Sequence, residues 1–235
     1  MTDYRSGLYD VLVTAPINKS TIQNPDFRFN GHTEYIETSV GDGKKALMIL
    51  MNDRLRVALV TTHLPLKDVA NAITREAIIE KGTIFHQSLK RDFRISSPRI
   101  AVLALNPHAG DNGLLGSEEQ TVIQPAIEEL ANKGIQAFGP YAADGFFGSA
   151  TYYRFDGVLA MYHDQGLAPF KTIALDSGVN YTAGLDIVRT SPDHGTAFDI
   201  AGQGKADEAS FRNAIYTAID VYRNRESYDE PLQNP

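Results

Sequence analysis

Three histidines in this sequence follow apolar runs and stand beside glycine or proline. Arg56-Val-Ala-Leu-Val-Thr-Thr-His63 runs into Leu64-Pro65, Arg99-Ile-Ala-Val-Leu-Ala-Leu-Asn-Pro-His108 runs into Ala109-Gly110, and Gly157-Val-Leu-Ala-Met-Tyr-His163 runs into Asp164-Gln165-Gly166. One histidine after a strand is usually no more than a loop residue. Three in the same structural position make a candidate metal site, because ligands of parallel α/β sheets gather at the carboxyl ends of strands. Three neutral imidazoles hold Zn²⁺ or a similar divalent ion and leave one position open. The sequence has no cysteine, so a metal must sit on His, Asp or Glu. Asp164, adjacent to His163, is placed to orient that ligand or to take up a proton. A bound ion would act as a Lewis acid on a hydroxyl or carbonyl oxygen.

A second set of residues suits an anion. Lys171, Asn180 and Arg189 punctuate a Gly-rich, strand-prone region from Leu167 to Thr190. A lysine, an amide and an arginine together fit a phosphate or carboxylate, although any one alone is more often a surface group. Metal for an oxygen and cations for a phosphate point to a small phosphorylated hydroxy compound. His32 is a fourth candidate ligand or a substrate contact; Thr33 is the expected cap of a short helix, and Lys19 lies at the end of the first strand. Ser191 to Gly202 is a Gly-rich turn containing His194, and it feeds a helix beginning near Glu208. Such a turn is a candidate dinucleotide or phosphate site, but it is not a GxGxxG fingerprint.

The positioning elements alternate strand and helix, which predicts an α/β protein with a mixed, largely parallel sheet flanked by helices. Tyr9–Thr14, Ala46–Met51, Leu55–Thr61, Ile100–Leu105, Ile135–Phe138 and 157–163 read as strands. Helices are expected over 75–93, from Ser117 to Lys133, and over 208–223, the last burying Phe211, Ile215, Ile219 and Tyr222. The stretch 142–148 reads as a loop placing Asp144 beside two aromatics. A chain of 235 residues can bury a full core, and its net charge of −7 argues against nucleic acid as a partner. Nothing at the N-terminus looks like a signal peptide and no apolar run nears the about 18 residues of a membrane span, so a cytoplasmic protein is expected.

The segments VTAPINK (13–19), NGHTE (30–34), TTHLPL (61–66), LNPHAGD (105–111), MYHDQGL (161–167) and RTSPDHGTAFDIAGQGKAD (189–207) carry a resemblance over essentially the whole chain. It is to the 4-hydroxythreonine-4-phosphate dehydrogenase family of pyridoxal phosphate biosynthesis. The last segment also resembles the adenosine-binding loop of isocitrate and isopropylmalate dehydrogenases, which implies their fold. The resemblance implies a homodimer with its active site at the subunit interface. It also implies NAD- or NADP-dependent oxidation of a secondary alcohol, followed by decarboxylation. His63, His108 and His163 then match ligands of a divalent metal (Zn, Mg or Co), one supplied across the dimer. His32, Thr33, Lys171, Asn180 and Arg189 match substrate contacts, with Asp164 and Lys171 as catalytic candidates. His194, Gly195, Asp199 and Gly202 match the cofactor loop.

Family members carry a strand and a Gly-Asp-Pro-Ala-Gly-type loop well ahead of the VTAPINK segment, which this sequence reaches at Val13. The expectation is therefore a chain lacking the family's N-terminal part. Residues 28–200 would form the metal-binding and dimerisation domain, and 1–27 with 201–235 a remnant of the second domain. The first strand would lack neighbours and the cofactor cleft would be incomplete. Three other readings compete: a dehydrogenase of 4-phosphothreonate or 4-phosphoerythronate, a metal-binding dimer without turnover, and a metal hydrolase.

Overall fold

The computed structural model describes residues 1–18, 21–25, 27–29, 31–174 and 177–233; Lys19 lies outside the described residues. The strands are β1 (Val11–Val13), β2 (Leu47–Met51), β3 (Arg56–Leu59), β4 (Arg99–Leu103), β5 (Gln136–Tyr141), β6 (Gly157–Ala160), β7 (Val179–Ala183) and β8 (Val188–Pro192). The helices are α1 (Thr2–Arg5), α2 (His32–Val40), α3 (Leu66–Ala72), α4 (Arg75–Arg91), α5 (Gln124–Asn132), α6 (Ala143–Gly148), α7 (His163–Ala174) and α8 (Ala209–Gln233). The mixed, largely parallel α/β architecture is as expected. Among the described residues, no helix is long and apolar enough to cross a membrane. The chain forms two compact units, Met1–Asn52 with Leu175–Pro235, and Asp53–Ala174. These boundaries differ from the expected 28 and 200, because β2, β7 and β8 associate with the two ends of the chain.

In the first unit the strand order is β1-β8-β7-β2. β1 is parallel to β8, which is antiparallel to β7, which is antiparallel to β2. Ile36, Val40, Ala46, Leu185 and Ile187 form a core cluster, with Tyr4, Tyr9, Leu12 and Tyr35 packed against it. Helix α8 lies on β1, β7 and β8. Its buried face is Ala214, Ala218 and Val221. The expected stripe is displaced to the flank: Ile215 and Ile219 remain 38% and 37% exposed. Small residues at the contact let the helix backbone approach the sheet, and the larger ones are pushed aside. The Arg225 guanidinium is buried and donates to the carbonyls of Leu185 and Asp186, and to the Tyr181 hydroxyl at 2.8 Å.

In the second unit β3, β6, β4 and β5 are all parallel, in that order. β4 and β6 are near-continuous apolar runs, as strands covered on both faces require. Helix α4 is capped by the Thr74 hydroxyl, which accepts from the Ala77 N–H, and it carries Glu76 in its first turn and Lys90 and Arg91 in its last. It buries Ile78, Phe85 and Leu89 completely. Gly82 faces the Leu130 side chain of α5, where a methyl group would sit 2.9 Å from Leu130 Cδ1. The stretch 142–148, expected as a loop, forms α6. Of the region 167–190 expected as strand-prone, the first part is helical, with His163 opening α7 and Lys171 in its last turn, and the rest carries β7 and the start of β8.

Candidate functional site

The first unit gathers two of the residues expected at an anion site, Asn180 and Arg189, on one face of its sheet. Thr182 lies directly opposite Arg189 in the antiparallel pair, so both side chains share a face. Asn180 is two residues from Thr182 on the same strand, and Thr14 is two residues past Leu12, the parallel partner of Arg189. By the two-residue alternation of strands, all four point the same way. The Arg189 side chain is 4% exposed. Its Nη2 and Nε donate to Thr14 Oγ1 at 2.7 and 3.1 Å, and its Nη1 donates to Thr182 Oγ1 at 3.3 Å. These hydroxyls fix the guanidinium without neutralising it. Burial pulls its pKa down to about 10, while the Glu34 carboxylate pulls it back up. The buried Asn180 Oδ1 has no hydrogen-bond partner among the described residues. An orphaned buried acceptor on the same face as a buried cation suits a ligand that brings both a hydrogen-bond donor and a negative charge.

His32 belongs to the same set, with its Nδ1 3.5 Å from Arg189 Nη2. Arginine only donates, so this imidazole accepts at Nδ1 and carries its hydrogen at Nε2. Burial first, and then the Arg189 charge, lower its pKa from 6.5 and so favour the neutral ring. Gly31 occupies the cap position of α2 in extended backbone and gives no side-chain hydrogen bond. Thr33 is therefore not the cap but the second residue of the helix, at an N-terminus whose first N–H groups favour negative charge.

The second unit holds the three histidines. The His63 and His163 rings lie tilted at 42° to each other with centroids 5.9 Å apart. That separation suits two ligands sharing an ion at metal–nitrogen bonds of about 2.0–2.1 Å. His163 Nδ1 is 2.7 Å from Asp164 Oδ1. A carboxylate only accepts, so Nδ1 is the donor and the Nε2 lone pair is left for a metal. His108 is placed differently. It starts a left-handed turn in which His108, Ala109, Gly110, Asp111 and Asn112 have φ of 52, 52, 77, 42 and 55°. Its ring lines a cavity of about 510 Å³ with Asp144, Phe147, Tyr162, Gln165 and Pro169. Among the described residues of the single chain, no three His, Asp or Glu side chains come close enough to hold a metal ion. The donor chemistry fits a divalent ion at His63 and His163.

The remaining expected residues are dispersed. Lys171 is an exposed residue of α7, in the other unit from Asn180 and Arg189. His194, Gly195, Asp199 and Gly202 lie on an exposed loop. There His194 Nδ1 is 2.9 Å from the Gly195 carbonyl, and the Asp199 carbonyl accepts from Gln203 Nε2 at 2.6 Å. A methyl group at Gly195 or Gly202 would meet nothing within 4 Å, so both glycines leave room for a ligand against the backbone.

Several residues of these sites were not singled out in the sequence. Thr14 and Thr182 hold Arg189. Glu119 is a buried carboxylate that holds the approach to His108. Its Oε1 accepts from the backbone N–H of Leu105 and Asn106 at 2.8 and 2.7 Å, and its Oε2 from Asn106 Nδ2 at 3.0 Å. The signal was present for Thr14, which ends a strand inside the VTAPINK segment. For Glu119 no local pattern distinguishes a buried acid from the surface acid Glu118 before it.

Comparison with known proteins places this geometry. The 4-hydroxythreonine-4-phosphate dehydrogenase of Bacteroides thetaiotaomicron is 65% identical over 233 residues, covering 99% of this chain and 64% of that protein. The chain thus spans just under two thirds of that relative's length. The enzyme of the same name from Burkholderia vietnamiensis is 47% identical over 94% of this chain and 68% of its own. The crystal structure of 4-hydroxythreonine-4-phosphate dehydrogenase from Klebsiella pneumoniae superposes with a TM-score of 0.81 at 36% identity, covering 94% of this chain and 67% of that one. Isocitrate dehydrogenase from Methylococcus capsulatus shares the fold alone, with a TM-score of 0.59 at 11% identity over 99% of this chain and 73% of its own. The match to the family described as pyridoxal phosphate biosynthetic protein PdxA runs over residues 1–218, and with these relatives it establishes that the chain belongs to that family.

Proposed function

We propose that the chain carries the dehydrogenase chemistry named in its relatives. The reaction is metal-dependent, NAD(P)-linked oxidation and decarboxylation of 4-phosphooxy-threonine to 3-amino-2-oxopropyl phosphate. The observation that carries this reading is the buried Arg189 guanidinium, fixed by Thr14 and Thr182 on the same sheet face as the orphaned Asn180 Oδ1. A buried guanidinium held by neutral hydroxyls keeps its positive charge for the phosphate, with an Nη1–H left over beyond those given to Thr14, Thr182 and His32. His32, neutral and carrying hydrogen at Nε2, would donate to the substrate, and Thr33 would offer its hydroxyl and the free N–H groups of the α2 terminus. Lys171 would add a second cation for the anionic substrate.

When bound, the divalent ion would polarise the substrate's alcohol oxygen and the nicotinamide would accept the hydride. His63, His108 and His163 would hold the ion, one of them reaching a partner subunit's site in a homodimer. Asp164 would keep the His163 lone pair turned outward and take up the released proton. The loop carrying His194, Gly195, Asp199 and Gly202 would lie along the dinucleotide.

The test is a substrate panel. Purified chain is mixed with a divalent ion, NAD or NADP, and 4-phosphooxy-threonine, 4-phosphothreonate or 4-phosphoerythronate, and nicotinamide reduction is followed. Reduction with the amino compound alone supports the proposal. Reduction with the acids instead reassigns the substrate. Metal uptake and dimer formation with no reduction by any of them would leave the chain a metal-binding module.

A further inference from the structure

A second cavity of the same unit lies across α6 from His108. It has a volume of about 510 Å³ and is walled by the end of β5, by α6 and by the 3₁₀ turn Thr151–Arg154. Helix α6 is the partition between the two cavities. Asp144 and Phe147, three residues apart, line the cavity of His108; Phe146 and Ser149, also three apart, line the second. The rings of Tyr141, Phe146 and Phe155 meet there with centroids 5.3 to 5.9 Å apart. Phe146 is buried, while Tyr141 and Phe155 are half-buried and offer apolar surface to an occupant. In a chain of net charge −7, the lining carries two arginines and no acid. The Arg99 Cζ stands over the Phe138 and Phe155 rings at 5.2 and 5.3 Å. Stacking of this kind holds the guanidinium plane and leaves its in-plane N–H donors unused. The carboxylate of Asp156 accepts from the Arg99 backbone N–H at 2.8 Å. Among the described residues, neither the Arg99 nor the Arg154 guanidinium has a hydrogen-bond or ion-pair partner.

We propose that this cavity binds a small aromatic phosphate monoester. Its ring lies against Tyr141 and Phe155, and its phosphate meets Arg99 and Arg154. A phosphate monoester carries about −1.5 to −2 charge near pH 7, which matches two unpaired cations. The hydroxyls of the lining face the other edge of the ring. Ser149 Oγ donates to the Gly145 carbonyl at 2.7 Å, so in its 2.7 Å contact with Thr151 the threonine hydroxyl is the donor. Thr151 Oγ1 therefore has only lone pairs left to offer, and it takes an N–H or O–H carried by the ring. A nucleoside monophosphate and a phosphorylated hydroxypyridine share this chemistry. The cavity uses none of the residues assigned to substrate, metal or cofactor.

The experiment titrates the full chain calorimetrically with AMP, with pyridoxine phosphate and with inorganic phosphate. At least one of the two aromatic esters is expected to bind, with inorganic phosphate weaker by about tenfold or more, and the tighter ester identifies the source. Arg154→Gln removes an exposed cation. Gly145→Leu fills open space, since a methyl group at that position meets nothing within 4 Å. Each should weaken ester binding by about tenfold or more while the melting temperature is retained. Arg189→Lys, in the substrate set of the other unit, should leave this binding unchanged. Absence of binding by both esters, equal binding of inorganic phosphate, or ester binding that Arg154→Gln and Gly145→Leu both leave intact overturns the proposal. So does a loss confined to Arg189→Lys, since the ester would then occupy the substrate set.

Discussion

Substituting Glu119 should unlock the turn that carries His108. Four non-glycine residues there stand in left-handed backbone, at about 1–2 kcal/mol each. The turn is closed by bonds from Leu115 N–H to the Gly110 carbonyl at 3.0 Å and from Leu114 N–H to the Asp111 carbonyl at 3.1 Å. Its entry is fixed by Glu119, which satisfies two backbone N–H groups and one side-chain amide. Glu119→Ala leaves the Leu105 and Asn106 N–H groups without an acceptor, at about 1–3 kcal/mol each, so a loss of about 2–6 kcal/mol is expected. Glu119→Gln keeps a carbonyl oxygen for those two donors but turns an NH₂ toward Asn106 Nδ2, for a smaller loss of about 1–3 kcal/mol. Urea unfolding gives both values, and amide exchange at Leu105 and Asn106 reports the release directly. A Glu119→Ala protein within about 0.5 kcal/mol of the unsubstituted chain, with those amides still protected, would refute the reasoning.

Three further outcomes are expected. Asp164→Asn removes the acceptor that holds His163 Nδ1, and should lower divalent-ion affinity by about 10–100-fold in a competition titration, with unchanged affinity as the failing result. Arg189→Lys loses the fork set by Thr14 and Thr182; binding of a phosphorylated ligand, measured calorimetrically, should fall by an amount worth about 1.5–3 kcal/mol, and a loss well below this range would count against the anion site. The folded-state pKa of His32 is lowered from 6.5 by burial and then by Arg189, so the unfolded chain binds the proton more readily and stability should fall as pH drops below 6.5 and level off above it. His86 is shifted the same way by burial and Lys90. His32→Gln should therefore shallow this slope only in part, and a slope unchanged by the substitution would exclude His32 as a source.

The sequence revealed most where local chemistry and global position agree. Short apolar runs bounded by breakers, such as Ile100–Leu103, read as buried strands, and the histidines that follow them lie where a strand gives way to a turn or a helix. The α8 stripe misled because periodicity marks an apolar face without saying which of two neighbouring faces meets the sheet; alanines at 214 and 218 decided it by allowing close approach. Gly166 and the interior Pro169 made α7 read as part of a Gly-rich, strand-prone stretch, yet Gly166 lies close against Val57, Leu59 and Ala160, where a side chain would not fit. The left-handed turn at 108–112 was invisible because its conformation depends on Glu119, which sits in a different segment. Lys171, Asn180 and Arg189 were grouped by proximity in the sequence alone; strand pairing places Asn180 and Arg189 on one face, while Lys171 lies on a helix of the other unit.

The buried Arg225 gives the last helix a duty at a distance. Its guanidinium seizes the bend between β7 and β8, the hairpin that presents Asn180 and Arg189 from its two arms. Helix α8 is thereby a splint for that hairpin. A chain cut before residue 225 would keep the Asn180 and Arg189 side chains and still hold them on a looser frame, so the reach of the final helix is a condition for their fixed geometry.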